Sequence, residues 1–180
     1  MTTAARAALS DRRPTLISDR MHKALNEQIQ AELFSAYLYL SMSAYFQEQG
    51  LEGMANWMTV QFHEEQEHAL KFVHYLNERG ARVELEALGK PAKEWATPLA
   101  AFEAALAHER MISGRIDDLA NLAIAEKDHA TLNMLQWFIA EQVEEEASVD
   151  AIVTRLRLVG DRGSGLFMID REMGKRALHD

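Results

Sequence analysis

Cysteine is absent from the 180 residues of this chain, and there are only three prolines and nine glycines. The missing thiols exclude disulfides, thiolate metal sites and cysteine nucleophiles, and they fit a reducing compartment such as the cytoplasm. So few breakers leave room for long helices. A basic excess is missing too. The 28 acidic and 19 basic side chains give a formal net charge of −9, which argues against nucleic-acid binding and suits the collection of cations. No long apolar run occurs either. The longest uncharged stretch, Leu33 to Phe46, holds three serines and falls short of the roughly 20 residues that span a bilayer, so no membrane segment is expected. There is no P-loop glycine pattern, serine-hydrolase elbow or low-complexity tract.

What is present is helical periodicity on the scale of one domain. Residues 1–18 read as a loose arm, rich in Ala and Arg, without the apolar core of a secretory signal. A first helix is predicted from Asp19 to Glu48, capped by Ser18 or Asp19 and stopped by Gly50. A second runs from Glu52 or Gly53 to Arg79 and is closed by Gly80. The short link makes these two antiparallel neighbours. Residues 80–97 hold Gly89 and Pro91, their Val83-Glu84-Leu85-Glu86 is too short for a strand, and they read as a long crossover along the bundle. Thr97-Pro98 opens a third helix, to about Ala125, with Thr as N-cap and Pro at the first helical position. Gly114 within it is a local weakness or a close-packing point. After a turn at Glu126-Lys127-Asp128 the fourth helix runs to about Val159. The predicted fold is all-α, a four-helix bundle over 19–159. A glycine hinge (Gly160, Gly163, Gly165) and a short fifth helix, Leu166 to Lys175, occupy 160–180.

Each long helix carries acid on its otherwise apolar stripe. The inner row of the first reads Leu25, Ile29, Glu32, Ala36, Tyr39, Ser43. On the second, Met54, Met58, Phe62, Ala69, Phe72 and Leu76 flank Glu65 and His68, which stand three residues apart and project from one face. The third places Glu109 between Leu106 and Ile112. The fourth places Gln142 and Glu145 between Phe138 and Val149. The helix midpoints fall at about residues 33, 65, 111 and 143, so all these polar groups lie within about one 5.4 Å turn of one interior level. Four carboxylates crowded there would repel one another and lose hydration together, at several kcal/mol each. Two divalent cations would balance them. The pattern predicts a dinuclear carboxylate centre. Glu64, Glu67 and Glu144, about 100° from the inner row, read as solvent-facing. Aromatics at helical spacing, Phe72 and Trp137 among them, read as core. Tyr39 could serve as an electron donor, a hydrogen-bonding partner or a core tyrosine.

The segments Leu25-Asn26-Glu27-Gln28-Ile29-Gln30-Ala31-Glu32, Glu64-Glu65-Gln66-Glu67-His68, Leu135-Gln136-Trp137-Phe138, Glu141-Gln142-Val143-Glu144-Glu145-Glu146 and Gly165-Leu166-Phe167-Met168-Ile169-Asp170 resemble those of bacterial non-haem ferritins. The likeness spans about Leu16 to Met173. It implies a first iron held by Glu32, Glu65 and His68, with Glu65 bridging to a second iron on Glu109 and Glu145, and Gln142 close by. A third, weaker iron is implied near Glu64, Glu141 and Glu144, and Tyr39 matches the tyrosine beside the family's site. The resemblance also implies a ferroxidase, oxidising Fe(II) with dioxygen or peroxide, that self-assembles as a 24-subunit cage, stores ferric mineral and lines the four-fold axes with its fifth helix.

Departures from related families refine this expectation. Bacterioferritins and many di-iron oxygenases have a second Glu-x-x-His on the fourth helix, but here Ser148 follows Glu145. Bacterioferritins also bind haem through a methionine just after the bridging glutamate. Gln66 stands there, so no haem is expected. Leu132 and Leu135 replace the acids that line the three-fold channel of animal ferritins, which leaves the iron access route open. The alternative of a different class is a di-iron or di-manganese oxidase acting on a small organic substrate. It would need an interior cavity where Phe62, Phe72, Phe102 and Phe138 are expected to pack.

Overall fold

The computed structural model describes residues 15–160 and 163–178; most of the expected N-terminal arm (residues 1–14) lies outside them. Five helices are present among the described residues: α1 (Asp19–Glu48), α2 (Glu52–Glu78), α3 (Pro98–Glu126), α4 (His129–Val159) and α5 (Ser164–Met173). Side-chain caps set several of the starts. Ser18 Oγ accepts from Met21 N at 3.0 Å, Thr97 Oγ1 from Ala100 N at 3.0 Å, and Asp128 Oδ1 from Thr131 N at 3.1 Å. The α3–α4 turn is tight, with Lys127 at φ 56°, in the left-handed region.

No side chain at Leu51 caps α2. Its cap comes from the far end of the chain. Asp170 Oδ1, on α5, accepts from Met54 N at 2.8 Å, and a carboxylate at a helix N-terminus also meets the positive end of the dipole. Gly53 makes that approach possible, since a Cβ there would sit 1.7 Å from the Asp170 carbonyl oxygen.

The crossover lies against α1 and runs in the same direction. Gln30 Nε2 donates to Ala87 O at 2.7 Å, Ser41 Oγ to Ala92 O at 2.7 Å, and Tyr45 OH to Trp95 O at 2.9 Å. It carries the chain back to the end where α2 began, so α2 and α3 run parallel while α1–α2 and α3–α4 are antiparallel pairs.

The core falls into two apolar parts. One gathers Met42, Phe46, Met54, Trp57, Phe102, Val149, Leu156 and Ile169 at the α5 end. The other gathers Leu25, Ile29, Phe72, Leu76, Ile116, Leu135 and Phe138 at the opposite end. Phe72 and Phe138 stack with ring centroids 4.1 Å apart. Between the two parts lies a polar layer.

The structure departs from four local expectations. Gly114 is no packing point, because nothing lies within 4 Å of where its Cβ would be. Trp137 is 39% exposed rather than core. Phe62, placed on the inner row, is only half-buried. The fifth helix also begins two residues earlier than Leu166 and ends at Met173.

Candidate metal centre

Glu32 on α1, Glu65 and His68 on α2, Glu109 on α3 and Glu145 on α4 all enter the layer between the apolar clusters, and none is more than 5% exposed. Ligand atoms of Glu32, Glu65 and His68 lie within 4.8 Å of one another, as do those of His68, Glu141 and Glu145. Glu109 is held from two sides. Tyr39 OH donates to its Oε1, and Gln142 Nε2 to its Oε2 at 3.3 Å. Of the outlying acids, Glu64 and Glu141 are half-buried and Glu144 is exposed.

Buried amides orient these carboxylates. Gln28 Nε2 donates to Glu32 Oε1 at 2.8 Å, and Gln28 Oε1 in turn accepts from Arg115 Nε at 2.9 Å. Gln61 Nε2 donates to Glu145 Oε2 at 2.9 Å. Each amide occupies one carboxylate oxygen and leaves the other available. The apolar stripe does not single out Gln28, Gln61 or Arg115, although the two glutamines carry a usable signal. An amide stands one turn before the inner acid on three helices: Gln28 before Glu32, Gln61 before Glu65 and Gln142 before Glu145. His108 has no matching carboxylate pattern in the sequence. It is half-buried, shares a 2.7 Å hydrogen bond with Ser35 Oγ and meets the Tyr39 ring edge-on at 6.4 Å.

Burial dominates the electrostatics of the layer. It pushes Glu32 up to about 7, against the pull of hydrogen bonds from Gln28 and Glu65. It pushes Glu145 up to about 8, with the Glu109 charge adding to it. Glu65 is driven well above the ordinary carboxylate range, first by burial and then by the charges of Glu109, Glu32 and Glu145. Burial raises Glu109 as well. His68 is lowered to about 4, by burial and then by Lys71, so its ring is neutral at pH 7 and has a lone pair to offer. Its Nδ1, 3.5 Å from Glu65 Oε2, therefore makes no ion pair there in the metal-free protein. Two carboxylate oxygens, Glu32 Oε2 and Glu65 Oε2, are buried without a hydrogen-bond partner. Such atoms are costly to leave unsatisfied unless something binds them.

Without metal, the protein should lose stability as pH rises. Glu32 and Glu145 have folded pKa values of about 7 and about 8, above the ordinary 4.5. Their contribution to stability is therefore fully present below about pH 4.5 and is lost as pH rises through 7 and 8. Thermal unfolding in chelator should show a melting temperature that these groups lower between pH 5 and pH 8. A cation entering the layer must displace the retained protons. Anaerobic addition of Fe(II) in weak buffer should release more protons per subunit at pH 6.5 than at pH 9, as read by a pH indicator. Equal release at both values would contradict protonated carboxyls in the empty layer.

Known proteins resemble this chain over most of its length. Residues 22–159 match the ferritin-like domain family. The bacterial non-heme ferritin of Bacteroides fragilis is 43% identical over 161 residues, covering 89% of this chain and 100% of that protein. That of Campylobacter jejuni is 38% identical, covering 91% and 98%. Among solved structures, an open-pore ferritin from the hyperthermophilic archaeon Archaeoglobus fulgidus superposes with a TM-score of 0.88 at 52% identity, covering 89% of this chain and 99% of that one. A closed form of the same ferritin, engineered by mutagenesis, gives 0.89 at 51% identity, covering 91% and 99%.

Proposed function

Since the chain belongs to the ferritin-like family, we propose that it is an iron-storage ferritin whose buried polar layer is a ferroxidase centre. The supporting observation is the pair of partnerless buried oxygens, Glu32 Oε2 and Glu65 Oε2, within reach of a neutral imidazole. Carboxylate oxygens with one imidazole suit iron in both oxidation states, and the accumulated negative charge favours the ferric product.

In this reading Fe(II) is the substrate. Glu32, Glu65 and His68 take the first ion. Glu65 bridges to the second, on Glu109 and Glu145, with Gln142 at its edge. Each ion gives up one electron to a shared oxidant molecule, dioxygen or peroxide. The chain's own work is positioning. Gln28 and Gln61 each hold one carboxylate oxygen so that the other points inward, and Tyr39 with Gln142 fixes Glu109. Protons leave the carboxyls as metal arrives. Glu64, Glu141 and Glu144 offer a third, weaker position on the way out. Ferric iron then moves to the cavity of a 24-subunit homo-oligomer and hydrolyses to mineral, in the cytoplasm and without haem.

Particle mass together with iron content tests this. A cage of 24 chains of 20.4 kDa elutes at about 490 kDa, and aerobic Fe(II) should load it with far more iron than the centres alone can hold. A dimer that takes up only enough metal to fill its centres would instead favour an oxidase acting on an organic substrate.

A further inference from the structure

Arg176 follows the fifth helix in sequence, yet its side chain returns to the metal layer. Nη2 lies 2.5 Å from Glu64 Oε2, and the two side chains are only 20% and 16% exposed. The guanidinium carbon sits 4.4 Å from the centroid of the Trp57 ring, a cation–π contact on the same helix as Glu64. The backbone is tied down as well, since Arg176 O accepts from Asn56 Nδ2 at 3.0 Å. The Arg176 charge reaches Glu145, where it opposes the upward push of burial. A fixed cation from the C-terminal segment thus stands against an acid adjacent in sequence to Glu65, at the rim of the layer.

We propose that Arg176 gates the outlying iron position: its guanidinium and an incoming Fe(II) compete for the Glu64 carboxylate, so filling that position is coupled to release of the C-terminal segment. The proposal rests on the reading of Glu64, Glu141 and Glu144 as an outlying site. The physical basis is charge. A guanidinium bonded to Glu64 and a divalent ion on the same carboxylate would be neighbouring cations in a half-covered place, where solvent screens them poorly. One must leave. Arg176 can leave without undocking α5, because α5 is held separately by Asp170 on Met54 N and by the close approach at Gly53. The coupling is reciprocal: whatever loosens residues 175–178 strengthens the outlying site, and iron there loosens those residues.

Anaerobic calorimetric titration of the assembled protein with Fe(II) tests the gate. In Arg176→Gln the third equivalent should bind about ten-fold more tightly than in the wild type, within the usual range of coupling between sites. The first equivalent, on Glu32, Glu65 and His68, should be unchanged. Arg176→Lys keeps the charge and should stay near wild type. Glu64→Gln should lose the third equivalent in either background. Hydrogen exchange on the wild type needs no variant, and residues 175–178 should exchange faster once the third equivalent is added. An unchanged or weaker third equivalent in Arg176→Gln, its survival in Glu64→Gln, or unaltered exchange would each overturn the gate. Failure of the dinuclear reading is distinct, because it would appear as first and second equivalents that survive Glu65→Ala.

Discussion

Glu65→Ala should slow Fe(II) oxidation by on the order of a hundredfold, the upper end of what loss of a partner one shell further out costs a metal site. Glu65 is the one carboxylate assigned to both ions, so its removal separates them as well as weakening each. His68→Ala should act on one ion and slow the reaction less. Stopped-flow absorbance of the early ferric species reads both. Unchanged rates in both variants would remove this layer from consideration as the oxidation centre. A stability effect of opposite sign should accompany the loss. Glu65→Gln keeps the volume and the hydrogen-bonding capacity but cannot ionise, so it relieves the charge crowding described above. The metal-free variant should melt at a higher temperature than the wild type, by a margin that widens from pH 5 to pH 8 as wild-type carboxyls ionise. Such an exchange of stability for activity is expected where a site is held strained for function. A wild type that is the more stable of the two across that range would contradict it.

The second large effect lies far from the acids. Gly53→Ala places a methyl group 1.7 Å from the Asp170 carbonyl oxygen. Backbone stands on both sides, so no flexible side chain can yield. α5 must shift, and with it goes the Asp170 bond to Met54 N that caps α2. Overpacking costs about 1–3 kcal/mol, and a lost cap about 1 kcal/mol more. The expected result is early proteolytic cleavage within 160–178 and a lower melting temperature. Asp170→Ala separates the contributions, because it removes the cap without the clash and should show about a third of the loss. If Gly53→Ala melts like the wild type and resists protease, the docking of α5 is not as described.

The bundle was legible because its signals are local and redundant. Ser18, Thr97, Gly50 and Gly80 mark helix ends by the chemistry of caps, and the period of 3.6 assigns one stripe per helix. Position along the helices then brings Glu32, Glu65, Glu109 and Glu145 to one level by arithmetic alone. Periodicity says little about residues at the edge of a stripe. Trp137 is next to the buried Phe138 but about 100° around the helix, so it meets His68 at 5.4 Å while lying 39% exposed, with Lys71 over its face at 4.1 Å. Nor does a stripe say which oxygen of a carboxylate is occupied. Gln28 on Glu32 and Gln61 on Glu145 are settled by rotamers, and Gln61 bonds across to α4 rather than to the acid one turn ahead of it. Least legible was the pairing of Arg176 with Glu64, 112 positions apart, since no local pattern records where a chain end returns.

The division of the apolar core into two parts has a mechanical consequence. Each end of the bundle is held by its own packing, while the waist between them is made of carboxyls that repel one another once ionised. Without iron, the α1 and α3 backbone amides around residues 32 and 109 should open more readily than those near either end. Binding two cations would cross-link four helices at their weakest level. Iron would then be a structural strut as well as cargo, and a freshly emptied subunit would be the most pliable form of this protein.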